Sequence, residues 1–407
     1  MVQTIESAAA ADKAGRAVSA PPAETPAPVP GLLARWFTRI SPGLKFRGFQ
    51  ILSRLSGIIP LRITYALAVL VGDIIYYFWH EHSQNAVSNM GRVLGPGASE
   101  RAIRRAARYS FRNYCKTLAD FIRFPYTSAR EINRRVANPH GLEVLDQARL
   151  EGKGVLAVTA HMGNWDFAGA FISRRGVPIY SLADKFDPPE LDELVTRTRL
   201  RNGVHIIKME ATAMRTLFEA LRRNEAVMLL VDRPMPGEGI PVQFFGETAW
   251  LPSGPAAIAL KTGAPIITGY CMRLEGDMQF TGGIEPPIAY KHLLTGNKQV
   301  DTQIISQCIA TALEGLIRRA PDQWYMFRPM WPRMTTAADE RRARRRARRQ
   351  ALRGRARHLA ARSRLSRLRG RVGADAPSES LGGLATGISV DPPVIEEWVS
   401  GKGPQGG

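Results

Sequence analysis

Cysteine is nearly absent from this 407-residue chain, and the three present, Cys115, Cys271 and Cys308, stand far apart. That spacing offers neither a disulfide framework nor a zinc knuckle, and it fits a reducing compartment. His80, His82, His140, His205, His292 and His358 show no ligand spacing with His161. A metal hydrolase is therefore excluded, and neither a metal nor a redox cofactor is expected. A Gly-x-Ser-x-Gly elbow is also missing, and Ser253 in Leu-Pro-Ser-Gly-Pro lacks the strand–turn–helix context of a serine hydrolase nucleophile. Residues 1–40 are rich in Ala and Pro and carry no continuous apolar core, so they read as a disordered leader rather than a secretory signal.

Acidic residues are scarce as well. Thirty-six Asp and Glu face 56 Lys and Arg, a formal charge of +20. The run Arg341–Arg371 holds 15 arginines and no acidic residue, yet residues 1–333 alone still carry +11. A basic body suits a polyanionic partner: anionic lipid, nucleic acid or an acidic carrier. The arginine run lacks interleaved aromatics for base stacking, which argues against nucleic acid. Contact with anionic lipid asks for fewer assumptions, at about 1 kcal/mol per basic residue near the surface. Residues 336–407 as a whole are too polar and low in complexity to pack a core.

One long apolar stretch exists, residues 61–79, close to the roughly 20 needed to cross a bilayer. Asp73 lies in its second half, and a carboxylate there costs about 2.5–3.5 kcal/mol on insertion scales. The balance favours a helix half-buried in protein or lying at the interface over a true span. Trp36, Phe37, Lys45, Phe46, Arg47 and Phe49 mix rings and cations as the headgroup layer does. Residues 99–123 read as a helix opened by Ser99, with Arg101, Arg104, Arg105, Arg108 and Arg112 along its polar side. That side is either solvated or held against anionic lipid. Residues 41–140 thus form a helical, membrane-associated region.

From about residue 150 the pattern alternates. Short apolar runs at 155–160, 177–183, 204–209, 226–231 and 264–270 read as strands. Helical patterns lie at 165–174, 189–200, 211–223, 253–262 and 301–319. Residues 141–335 are expected to fold as an α/β domain, a mostly parallel sheet flanked by helices.

The residues that carry chemistry begin where the first of those strands ends, at His161-Met-Gly-Asn-Trp-Asp166. On one continuous helix the two side chains would point about 140° apart. At a strand-to-helix turn the carboxylate can return to accept the imidazole Nδ1–H, leaving Nε2 as a base. Such a base can deprotonate a hydroxyl for attack on a thioester without a covalent enzyme intermediate. Spacing alone fits equally a buried histidine hydrogen-bonded near a helix N-terminus.

The company of this segment resembles a known family. His161-Met-Gly-Asn-Trp-Asp166 is similar to the H-x4-D/E signature of glycerolipid and glycolipid acyltransferases. Leu230-Val-Asp-Arg233, Phe244-Phe-Gly-Glu247, Leu251-Pro-Ser-Gly-Pro255 and Thr262-Gly-Ala-Pro-Ile-Ile267 follow in order. Together they resemble the branch containing lipid A biosynthesis acyltransferases and phosphatidylinositol mannoside acyltransferases, over roughly residues 45–332. The resemblance implies His161 as general base and Asp166 as its orienting carboxylate. It further implies substrate binding by Asn164, Asp232, Arg233 and Glu247, with Arg233 meeting a phosphate or sugar hydroxyl. Lys185 is a departure, since relatives usually carry arginine there. It keeps the charge without the bidentate fork, which puts the head group in question. The implied donor is acyl-CoA or an acyl carrier protein, the acceptor a glycolipid or phospholipid. The implied location is the cytoplasmic face of the inner membrane, peripheral or with one N-terminal span. A lipid ester hydrolase on the same fold, or an Arg-rich nucleic-acid binder, is the rival reading.

Overall fold

The computed structural model describes residues 41–331, apart from 211, 236–238, 275 and 277. The expected leader, the arginine run and tail, and Trp36 and Phe37 lie outside the described residues, as does the side chain of Lys45. Four helices come first: α1 (Pro42–Ile58), α2 (Leu61–Phe78), α3 (His80–Leu94) and α4 (Glu100–Arg123). Ser99 opens α4 by accepting from the amide of Ala102, and Glu100 sits in its first turn, where a carboxylate favours the helix dipole.

Helix α2 meets α4 through a stripe of small residues. Ala68 packs with Cys115 and Ala119, and a Cβ added to Gly72 would stand 2.7 Å from the Cα of Arg112. The Asp73 carboxylate is then taken by both arginine forks of α4. Arg108 donates at 2.7 Å to each oxygen, and Arg112 at 2.7 and 2.6 Å. These bonds hold the carboxyl well below its ordinary value against the opposing effect of burial. Two arginines of the polar stripe on α4 are therefore committed to α2. Trading water for two bidentate cations is how an apolar helix can carry a carboxylate at all.

After α5 (Ala129–Arg135) the chain enters the sheet. Val136–His140, assigned by sequence to the helical region, is the edge strand β1. Helix α6 (Leu142–Arg149) precedes β2 (Val155–Thr159), and α7 (Trp165–Ser173) leads to β3 (Ile179–Ala183). Then come α8 (Pro189–Arg201), β4 (Val204–Lys208), α9 (Ala213–Arg222) and β5 (Ala226–Leu230). A separate hairpin, β6 (Ile240–Phe244) and β7 (Glu247–Leu251), precedes α10 (Gly254–Thr262). Strands β8 (Ile266–Arg273) and β9 (Phe280–Ile284) and the long helix α11 (Lys298–Arg319) complete the order.

The seven-stranded sheet runs β1-β9-β8-β2-β5-β3-β4. Every pairing is parallel except β8 with β9. It is the mostly parallel, helix-flanked sheet that the alternation implied. Leu156 and Val158 of β2 belong to a core shared with α9, α10 and α11, and Met90 of α3 and Phe111 of α4 join the same cluster. On the other face Val155 packs with Leu145 of α6. A strand covered on both faces has no need of polar alternation, which is why residues 155–160 read as a continuous apolar run.

Candidate functional site

The site lies at the carboxyl ends of the central parallel strands, where open α/β sheets place their ligands. Strands β2 and β5 are direct neighbours with Val155 opposite Ala226 and Thr159 opposite Leu230. Two residues further on, that register sets His161 beside Asp232. The imidazole Nδ1 meets Asp232 Oδ1 at 2.6 Å, and the His161 amide donates to Oδ2 at 2.9 Å. Trp324 donates its indole N–H to the same Oδ2 at 2.8 Å. Burial of the Asp232 side chain pushes its carboxyl upward, but the imidazole, the Trp324 indole and the His161 amide outweigh it and hold the group below its ordinary value. A carboxylate fixed in this way orients the ring and leaves Nε2 facing away from it. The His161 side chain is 19% exposed, its partner 0%.

The expected contact between His161 and Asp166 is not made. Asp166 sits in the first turn of α7 and turns toward α8, where Arg199 grips it at 2.7 and 3.2 Å. Both side chains of that pair are 10% exposed. The carboxylate bonded to the imidazole comes from the neighbouring strand and not from the following helix. Asp232, read by resemblance as a substrate contact, is sealed inside the protein and serves His161.

The turn between them explains why the segment is Met-Gly-Asn. Gly163 has φ +59°, and a Cβ there would stand 2.1 Å from the carbonyl oxygen of Cys271. Glycine is required on both counts. Asn164 caps α7 by accepting from the amide of Phe167 at 3.0 Å, while its amide nitrogen donates to Asp120 at 3.2 Å. It is 2% exposed. Both ends of this side chain are spoken for, which corrects its assignment to substrate binding.

Residues after α11 complete the site, and sequence reasoning passed over them. Trp324 bridges to Met162, and the Tyr325 amide donates to the His161 carbonyl at 2.8 Å. The only signal was an aromatic-rich run, Trp324-Tyr-Met-Phe327, three residues past the Pro321 that follows α11.

The remaining residues singled out by sequence divide into two groups. Arg233 follows β5 and pairs at 3.0 Å with Asp184, which follows β3. Lys185 pairs at 2.8 Å with Glu210 beyond β4. Both cations are more than half exposed along the same sheet edge as His161. Glu247 lies elsewhere in the bonding scheme. It follows the two-residue turn Phe245-Gly246, both at positive φ, and pairs at 2.8 Å with Arg92 of α3. Its hairpin supports the site indirectly, since the rings of Phe244 and Phe245 lie 6.3 and 6.2 Å from that of Trp324.

Beside His161 an apolar cavity of about 70 Å³ opens between the sheet and helices α6 and α7. Met162 and Trp165 line it next to the histidine, and the Trp165 ring stands edge-on to the imidazole at 5.7 Å. Ala157, Met228, Gly269 and Cys271 line it from one face of the sheet. Burial pushes the Cys271 thiol up to about 12, so it serves as an apolar wall. Among the described residues no three His, Cys, Asp or Glu side chains converge to hold a metal ion.

A histidine–carboxylate pair beside an apolar cavity can serve reactions on a long hydrocarbon substrate, and comparison with known proteins narrows the class. A family model described as bacterial lipid A biosynthesis acyltransferase matches residues 47–333. A phosphatidylinositol mannoside acyltransferase of Mycobacterium tuberculosis is 28% identical over 279 residues, covering 67% of this chain and 84% of that protein. The protein of the same name in Mycolicibacterium smegmatis is 31% identical over 228 residues, 53% of this chain and 71% of that one. A lipid A biosynthesis acyltransferase of Haemophilus influenzae is 31% identical over 109 residues, 26% of this chain and 33% of its own length. With most of its length matched, and with the site at the sheet edge those residues build, the chain belongs to the bacterial lipid A biosynthesis acyltransferase family.

Proposed function

We propose that this lipid acyltransferase moves a fatty acyl chain from a thioester, acyl-CoA or an acyl carrier protein, to a hydroxyl of a glycolipid or phospholipid. His161 is the general base and Asp232 its orienting carboxylate. Nε2 takes the acceptor's hydroxyl proton as that oxygen bonds to the thioester carbonyl carbon. The tetrahedral adduct then expels the thiolate, the C–S bond breaks, and the imidazolium returns the proton to sulfur. The observation that carries this reading is the 2.6 Å Nδ1–Asp232 bond, which commits one ring nitrogen and leaves the other to act beside an apolar cavity. The cavity suits the acyl chain. The exposed cations Arg233 and Lys185 suit a phosphate or sugar head group at the same edge. Phosphatidylinositol mannosides are the favoured acceptor class, because the two mycobacterial relatives align over far more of the chain than the lipid A enzyme does.

The surface supports work at a bilayer. Most exposed large apolar side chains of the described residues lie on α1 and α2, among them Leu55, Ile58, Leu67, Leu70, Ile74 and Phe78. Arg47, Arg54 and Arg62 are exposed on the same two helices. Helix α2 is long and apolar enough to span, but the grip of Arg108 and Arg112 on Asp73 favours a helix lying in the interface with its inner side on α4. The cytoplasmic face is where a thioester donor is supplied.

Lipid mass spectrometry of a deletion strain against its complemented counterpart tests the acceptor. The expected result is loss of one acyl chain from a mannosylated phosphoinositide, restored by the wild-type gene and not by His161→Ala. An unchanged mannolipid pattern with a chain missing from another lipid would overturn the acceptor assignment.

A further inference from the structure

Behind the catalytic turn lies a buried polar cluster that the transfer step does not use. Its centre is Asp120 of α4, 1% exposed. The carboxylate accepts from Tyr65 at 2.7 Å and Arg135 at 3.0 Å on one oxygen. On the other it accepts from Arg273 at 2.8 Å and Asn164 at 3.2 Å. Arg273 also donates to the Tyr65 hydroxyl at 2.7 Å. Arg135 donates to the same hydroxyl. Burial pushes the Asp120 carboxyl upward, but Arg273 and Arg135 with the hydrogen bonds outweigh it and hold the group below its ordinary value. It is therefore charged at neutral pH.

What these partners belong to gives the cluster its meaning. Tyr65 is on α2, the helix with the exposed apolar face. Asn164 caps the helix that begins at the catalytic turn. Asp120 joins the two through one carboxylate. A second path runs alongside it. Thr117, one turn before Asp120 on α4, donates at 3.0 Å to the Gly163 carbonyl, which also accepts from Tyr325 at 3.1 Å. A single charged acceptor shared by a surface helix and a catalytic turn ties the position of one to the other, because a shift of either leaves a buried charge short of donors.

We propose that Asp120 is a positioning residue for acyl transfer, linking the bilayer-facing helix α2 through Tyr65 to the His161 turn through Asn164. This rests on the acyl-transfer reading above. Docking of α2 on a lipid surface then holds the turn in its productive geometry, and the enzyme works faster on a bilayer than in free dispersion.

Two variants separate the link from the fold. Asn164→Ser keeps a side-chain cap for the Phe167 amide but has no amide to offer Asp120. Tyr65→Phe keeps the ring in place and removes the hydroxyl, which is the donor that α2 contributes to Asp120 and an acceptor for Arg273 and Arg135. The full chain is assayed with an acyl-CoA donor and a mannolipid acceptor, in anionic phosphatidylglycerol vesicles and in detergent micelles. Displaced reacting groups cost about ten- to a hundredfold in rate, so both variants are expected to lose that much kcat on vesicles, with KM within about twofold of wild type. Vesicle binding by co-sedimentation is expected to stay unchanged. The ratio of vesicle to micelle rates, well above one for wild type, is expected to fall toward one in Tyr65→Phe. A ratio unchanged in Tyr65→Phe, or a rate loss matched by lost vesicle binding or by lost folded protein, would overturn the link while leaving the transfer reading intact. A wild-type chain that transfers no acyl group would overturn both.

Discussion

Asp232→Asn is expected to cut kcat by about 10⁴-fold, the loss seen when the carboxylate of a catalytic triad becomes an amide. Asparagine fits the space but can present an N–H to Nδ1, which turns the imidazole to the wrong tautomer and removes the charge that steadies the imidazolium. The Trp324 indole and the His161 amide both donate to Oδ2, so they hold the asparagine oxygen there and turn its NH2 toward Nδ1. Asp166→Asn is the contrasting variant. It breaks the pair with Arg199 and leaves a nearly buried guanidinium without its carboxylate, expected to cost about 3–5 kcal/mol of stability. Its turnover per folded molecule is expected to stay within about tenfold of wild type, since no bond from Asp166 reaches the imidazole. Steady-state kinetics corrected for the folded fraction from thermal melts separates the two. The reverse order of damage would mean that the helix carboxylate, and not the strand carboxylate, serves the histidine.

The second large effect concerns the acyl chain. Gly269 lines the cavity from the sheet, and a Cβ built there meets nothing closer than the Gly283 carbonyl at 3.5 Å. Gly269→Val should therefore be accommodated by the strand, for which valine is well suited, while its branches fill space that a chain would occupy. At about 0.8 kcal/mol per buried CH₂, shutting out three methylenes disfavours the longest accepted chain by about 2.4 kcal/mol, roughly fiftyfold. Shorter chains that do not extend past Gly269 are expected to transfer at wild-type rates. A series of saturated acyl thioesters of increasing length, compared by kcat/KM, shows the cut-off. If the length profile did not move, the chain would lie elsewhere.

The parts legible in the sequence were those whose physics is local. Buried parallel strands need apolar residues on both faces, so β2 and β5 stood out as unbroken runs, and Ser99 announced α4. The hairpin β6–β7 escaped because its strands alternate, burying Val242, Phe244, Ala249 and Leu251 on one face and exposing Gln243 and Thr248 on the other, and so make no unbroken run. At the site, the place of His161 at the end of a strand fitted a structural histidine as well as a base, and the ordered motifs around it singled it out. Its partner could not be found that way. Asp232 is 71 residues away, and only the adjacency of β2 to β5, strands not consecutive in the chain, brings it to the ring. Asp166 was preferred because it is near in sequence, yet the helix that carries it directs it to Arg199. Trp324 lies 92 residues beyond Asp232. Its indole N–H meets the carboxylate because the chain folds back after α11, a path no spacing encodes.

The most direct test of the account is transfer itself. Purified protein in anionic vesicles is given a thioester labelled in its acyl group and a mannolipid acceptor, and the label is followed by thin-layer chromatography. Label is expected to move into the acceptor lipid with wild type and to stay in the thioester with His161→Ala, a protein that still folds and binds vesicles. Turnover persisting in His161→Ala, or label passing only into free fatty acid with wild type, would contradict it.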